Sequence, residues 1–281
     1  MALKRQGRAL APAAALAVAL LAAACQNQAG MSPAQIAAQS AARDNIQSIT
    51  EVINANPNDP QAYNMRGSAY GKVGQNDKAL ADFTTAIQLK PDFYQAYSNR
   101  ALIYRAMNQP QAALNDYAYA IKINPQYSPA YVGRGNIYRL NGQLDLALND
   151  FNAAIAADPN DSRAFHNRGL VYQQQGNLAK AIDDFSRAIS LDPTAAAPYN
   201  ARGMAYMAQG QMESAEDDFT VAVSIDKYYA EAWANRGIAA SELGNAEKAR
   251  TSFRAALNLK PGYQPAVQGL AKLNGGAAPQ G

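Results

Sequence analysis

From Pro60 onward the chain repeats itself every 34 residues, six times, with no insertion or deletion. The segment AYNMRGSAYGKVGQNDKALADFTTAIQLKP (62–91) returns as AYSNRALIYRAMNQPQAALNDYAYAIKINP (96–125). The last copy reads AWANRGIAASELGNAEKARTSFRAALNLKP (232–261). The copies begin at Pro60, Tyr94, Ser128, Ser162, Ala196 and Ala230. This periodicity constrains the fold more than any other property. So short a unit cannot enclose an apolar core alone and must bury its face against its neighbours.

Each copy reads as two helices. In the first, apolar or small residues fall at the fourth, eighth and eleventh positions, as in Tyr63, Gly67 and Tyr70. Spacing of three and four places them on one face. A helix-closing Gly follows at position fifteen (Gly74, Gly142, Gly176, Gly210, Gly244), with Asn108 in the second copy. Both residue types tolerate the left-handed backbone that ends a helix. The second helix carries Ala at twenty and twenty-seven and an aromatic at twenty-four: Phe83, Tyr117, Phe151, Phe185, Phe219 and Phe253. Pro stops it at thirty-two in five copies. The fifth copy has Lys227 there, which predicts a looser junction.

This pattern over 60–261 resembles the tetratricopeptide repeat. The resemblance implies an all-α fold, a right-handed superhelix (α-solenoid) of six helix–turn–helix repeats with a concave groove that grips partner peptides. Capping helices are expected at both ends. Residues 33–56 have the period of a preceding second helix, with Ile49 and Val52 at its packing positions. Residues 264–274 form a closing helix through Val267, Leu270 and Leu273. A disordered tail is expected over 275–281.

The N-terminus has a different composition. Lys4, Arg5 and Arg8 precede an apolar run from Ala9 to Ala24, which is short for a membrane span. That order is the order of a secretory signal over 1–24. Cys25 stands at the expected cleavage point, followed by a tether over 25–32. The arrangement resembles a bacterial lipoprotein signal, which implies lipidation of Cys25, a lipid anchor and an outer-membrane site facing the periplasm. Ala22-Ala23-Ala24 also suits ordinary cleavage, which would give a soluble periplasmic or secreted protein, and an uncleaved anchor is the third option.

Composition excludes several function classes. Removing Lys4, Arg5 and Arg8 leaves 22 Lys+Arg against 22 Asp+Glu, so the body exerts no strong pull on nucleic acid. One Cys and one His argue against an internal disulfide, a His/Cys zinc site or a Ser-His-Asp triad. No phosphate loop or nucleophile–base pair lies outside the repeat pattern. The expectation is therefore no catalytic residues, metal, cofactor or small-molecule substrate.

Two sets of polar residues remain. Arg holds position seven in all six copies (Arg66, Arg100, Arg134, Arg168, Arg202, Arg236), and Asp holds twenty-three in five (Asp82, Asp116, Asp150, Asp184, Asp218), with Ser252 in the sixth. A charge recurring at the scaffold's own frequency predicts structural pairs, within a repeat or between neighbours. Pairing within repeats would orphan Arg236. The second set varies from copy to copy at positions two, five, six, nine, twelve and thirteen of the first helix, a separate face. It supplies the candidate groove residues Asn64, Asn99, Arg105, Asn136, Arg139, His166, Asn167, Asn200 and Asn235. Asn at position six in alternate copies (Asn99, Asn167, Asn235) predicts an amide ladder that holds extended backbone. It is similar to the inner Asn ladder of O-GlcNAc transferases. Basic Lys72, Arg105, Arg139 and Arg163 in the early copies and acidic Glu231 and Glu242 in the last predict a charge gradient.

The motif and layout are similar to NlpI-type lipoproteins. That resemblance implies an adaptor for envelope partners such as peptidoglycan hydrolases or proteases. The alternative is a pilotin-like lipoprotein assisting pilus or secretin assembly.

Overall fold

The structure, a computed structural model, describes residues 33–275. The signal, Cys25 and almost all of the tail expected to be disordered lie outside them. Every regular element among the described residues is an α-helix. Contacts divide the chain into two compact units between Lys90 and Pro91.

The first unit holds α1 (Pro33–Ala55), α2 (Pro60–Lys72) and α3 (Asn76–Leu89). Ile49 and Ile53 of α1 are buried, with Ala62 and Ala69 in the same core. Val52, expected inside, is 52% exposed. The helix turns its 49/53 edge inward, and spacing of four carries the contact past residue 52.

The second unit holds five hairpins and a cap. The hairpins are α4–α5 (Tyr94–Ala106, Pro110–Ile123), α6–α7 (Ser128–Leu140, Leu144–Ala157), α8–α9 (Ser162–Gln174, Leu178–Leu191), α10–α11 (Ala196–Ala208, Met212–Ile225) and α12–α13 (Ala230–Glu242, Ala246–Leu259). The cap is α14 (Gln264–Leu273). Each second helix packs on both its own first helix and the next one, and first helices of successive repeats also touch. This is a solenoid stack of tetratricopeptide type. Leu270 and Leu273 of α14 close its end against the Phe253 core.

The packing follows from small residues facing large ones. A Cβ on Gly135 would come within 2.9 Å of the Phe151 ring, so only glycine lets α6 and α7 approach this closely. Helix ends use the expected backbone: Gly142 has φ 74° and Asn108, in the same role, φ 57°. The Lys227 junction is no looser than its neighbours. Tyr229 N donates to Asp226 O at 3.2 Å, as Tyr127 N does to Asn124 O, also at 3.2 Å. The turn is held by this backbone bond, which needs no Pro.

Candidate functional site: the groove of repeats two to four

The repeated Arg residues are scaffold. Each of the first five forms a two-pronged pair with the Asp sixteen residues on. Arg134, for example, donates Nε to Asp150 Oδ2 at 2.9 Å and Nη2 to Oδ1 at 2.7 Å. All five pairs lie within their own repeat. Those bonds hold the guanidinium pKa above its usual value against the opposing pull of burial. Aromatic rings flank the forks, Tyr199 and Tyr206 around Arg202 among them. Arg236 is not orphaned. Glu216 of the preceding repeat lies 3.4 Å from its Nε and 3.1 Å from Lys248 Nζ.

A third prong reaches backwards. Arg66 Nη1 donates to Thr50, Arg168 Nη1 to Asn152 and Arg202 Nη1 to Ser186. Asn152 and Ser186 sit at position twenty-five of the preceding copy, and Thr50 holds the equivalent place in α1.

The variable face gathers a cleft of about 360 Å³ in the second unit, walled by α4, α6 and α8. Asn99, Arg105, Asn136, Arg163 and Asn167 line it, with Leu102. Its charges are unequal. Arg163 is already neutralised: Nε and Nη2 each donate at 2.8 Å to Asp161, which also accepts from Ser128 Oγ at 2.8 Å. Burial pushes the Asp161 carboxyl up, but the bonds from Arg163 and Ser128 outweigh it and hold the pKa below the usual value. Arg105 is exposed, and neither it nor Arg139 has a carboxylate within ion-pair range among the described residues. Arg139 Nη2 donates to Asn136 Oδ1 at 2.9 Å, and its Nε is sealed from solvent with no partner. Burial lowers the Arg139 pKa.

Other candidates stand apart. His166 packs on Phe185 with its Nδ1 sealed and unpartnered, and burial, helped by the Arg139 charge, lowers its pKa to about 4. Its low pKa favours the neutral imidazole at pH 7, and the residue is half-buried. Asn64 is buried in the first unit. Asn235 Nδ2 donates to Asn200 Oδ1 at 3.0 Å, and Asn200 Nδ2 to Tyr229 Oη at 3.2 Å. Asn167 Nδ2 donates to Arg163 O at 2.8 Å within its own helix. The open amide ladder is therefore partly closed on itself, because neighbouring side chains or the helix's own backbone satisfy these donors first. The acidic end of the gradient is neutralised too. Glu231 lies 3.6 Å from Lys260 and Glu242 3.0 Å from Lys272, both supplied by later elements.

Beneath the cleft lies a contact that the stripe does not show. Tyr117, from the packing layer, is fully buried, with its hydroxyl unpartnered. Gly133, at position six of the third copy, lines the cleft directly above it. The signal was the lone Tyr among five Phe at position twenty-four. Among the described residues no group of His, Cys, Asp or Glu is placed to hold a metal, and no helix is long and apolar enough to cross a membrane.

No curated protein matches the sequence. Of solved structures, the APC/C hetero-tetramer Cut9–Hcn1 is similar at TM-score 0.74 and 17% identity over 83% of this chain, which spans only 46% of that one. PilW, a widely conserved type IV pilus biogenesis factor, is similar at TM-score 0.66 and 21% identity over 75% of this chain and 98% of that one. YrrB, a TPR protein with an unusual peptide-binding site, is similar at TM-score 0.51 and 25% identity over 66% of this chain and 96% of that one. Family models described as tetratricopeptide repeat match 60–93, 94–127, 162–195, 196–229 and 230–263, and one described as TPR repeat matches 135–176. Those matches cover most of the sequence in the register of its internal period, and the chain belongs to the tetratricopeptide-repeat family.

Proposed function

We propose that this protein is a non-enzymatic scaffold that holds an extended segment of a partner protein in the groove of repeats two to four. One observation carries the reading: packing positions recur in every copy, while the face lining this cleft differs from copy to copy and leaves Arg105 without a carboxylate in ion-pair range among the described residues. A uniform frame with a variable inner face is how a repeat protein separates stability from recognition. The peptide-binding site named for YrrB lends support. A photo-crosslinking amino acid at Leu102, on the cleft, should capture a protein in living cells. The same group at Leu146, exposed on α7 and outside the cleft, should not. Equal capture from both positions overturns the reading.

The proposal includes the address. The basic-then-apolar order before Cys25 supports an envelope lipoprotein at the outer membrane, facing the periplasm. There the scaffold serves as an adaptor of the NlpI type for peptidoglycan hydrolases or proteases. Cys25→Ser should move the protein from the membrane fraction to the soluble one, and retention in the membrane fraction overturns the lipid anchor. A second reading, assistance to pilus or secretin assembly, draws on the likeness in fold to PilW over nearly all of that chain. Pull-down separates the two: hydrolases and proteases against secretin or pilus subunits.

A further inference from the structure

Two kinds of side-chain tie join successive copies in the second unit. The first is the backward prong to position twenty-five: Arg168 Nη1 donates to Asn152 at 2.7 Å and Arg202 Nη1 to Ser186 at 3.0 Å. The second joins position six to position five of the copy before, as Asn235 does to Asn200 at 3.0 Å. The seams between copies three and four and between four and five have the first tie, and the seam between five and six has the second. The seam between copies two and three has neither. Ala118 at position twenty-five offers no acceptor, so Arg134 keeps only its fork to Asp150. Gly133 at position six has no side chain to reach with. The same seam holds a polar atom without a partner. The Tyr117 ring is buried against Gly133, and its hydroxyl makes no hydrogen bond. The later copies have Phe at this position. A sealed, unbonded hydroxyl disfavours the packed arrangement, and parting of α4 and α5 from α6 would let water bond it. This seam lacks what ties its neighbours and carries what favours its opening. The cleft lies across it, with α4 on one side and α6 and α8 on the other.

We propose that the seam between the second and third copies is a hinge, on which the α4 wall swings against α6 and α8 and sets the width of the cleft. The bond from Arg168 to Asn152 keeps α8 with the third copy, so the motion is confined to the α4 side. Asn99, Leu102 and Arg105 travel with α4. The hinge is a property of the frame and holds whether or not a partner chain enters the cleft.

The test is a pair of distance measurements by pulsed electron spin resonance on the full chain, with Cys25→Ser removing its own thiol. Spin labels on cysteines replacing the exposed residues Gln111 and Glu213 span the untied seam and the two after it. Labels replacing the exposed residues Asp145 and Glu247 hold the same repeat position one copy later and span tied seams alone. The first pair should show a second distance component and the second pair a single one. Ala118→Ser, which copies Ser186, and Ala118→Asn, which copies Asn152, should each cut that second component about tenfold, as one added hydrogen bond to a guanidinium predicts. Ala118 is exposed, so either side chain has room. Tyr117→Phe, which removes the sealed hydroxyl, should lower the component as well, with helical circular dichroism retained in all three variants. Matching distributions for the two label pairs overturn the hinge. So does a second component that persists undiminished in any of the three variants, because the seam is then not freed by the groups named.

Discussion

The ring of Tyr117 occupies the space that any side chain at residue 133 would need: a Cβ on Gly133 would lie 2.2 Å from its Cζ. Nothing flexible lies in the way to yield. Gly133→Ala should therefore destabilise the protein by about 1–3 kcal/mol, the range for overpacking a core. Tyr117→Phe should be neutral or stabilising, because it removes a buried hydroxyl that has no partner. Chemical denaturation of both variants and their double checks this. The double should recover part of the loss, and additivity would refute the contact.

The only His of the chain makes a clean pH probe. Burial, then the Arg139 charge, lowers the His166 pKa from 6.5 to about 4. The unfolded chain therefore binds this proton first as pH falls. Its contribution is complete above 6.5 and is lost between 6.5 and the folded value. The loss should reach about 3 kcal/mol by pH 4. Denaturant midpoints across that range should fall in wild type, and the fall should be smaller in His166→Gln. NMR titration of the imidazole should show no protonation at pH 6.

Removing one member of an Arg–Asp pair should cost more than removing an exposed ion pair. Asp150 is about 5% exposed, and its loss strands Arg134 between packed helices. Asp150→Ala should cost about 3 kcal/mol. Rim pairs such as Glu231–Lys260 should cost less than about 1 kcal/mol. Glu216→Gln should resemble Asp150→Ala in kind, since Arg236 and Lys248 both depend on Glu216. Thermal unfolding of the three variants orders them.

Asn108 closes α4 at φ 57°, where the other repeats use Gly. Asn108→Gly should raise stability by up to about 1 kcal/mol, and Gly142→Ala should lower it by about as much. The sign difference between the two melting shifts checks the left-handed backbone at both positions.

The regular features were legible because they recur. Helix limits, the register of the copies and the small-against-aromatic layer all follow from positions that agree in every copy. The Arg–Asp partnership was legible as a pairing, but its direction was not. Sequence spacing is equally consistent with the next repeat, and only the reach of the fork chooses. The site was harder to read. Asn200 and Asn235 read as open amides until the fold set them within 3.0 Å of each other, and Glu216 was invisible as the substitute partner of Arg236. Tyr117 belongs to the packing layer by period, yet its ring reaches beneath Gly133 of the cleft, a contact that no single periodicity reveals.

The backward-reaching prong of the repeated arginine makes the copies sequence-dependent neighbours. Arg168 bonds Asn152 behind it and Arg202 bonds Ser186, whereas Arg134 has Ala118 behind it and makes no third bond among the described residues. A copy excised, duplicated or moved carries its arginine to a foreign predecessor. A seam that sets a residue without an acceptor behind Arg168 or Arg202 would forfeit that third bond, as the native Ala118–Arg134 seam already does. The order of the copies is thus written in side-chain chemistry as well as in the gene.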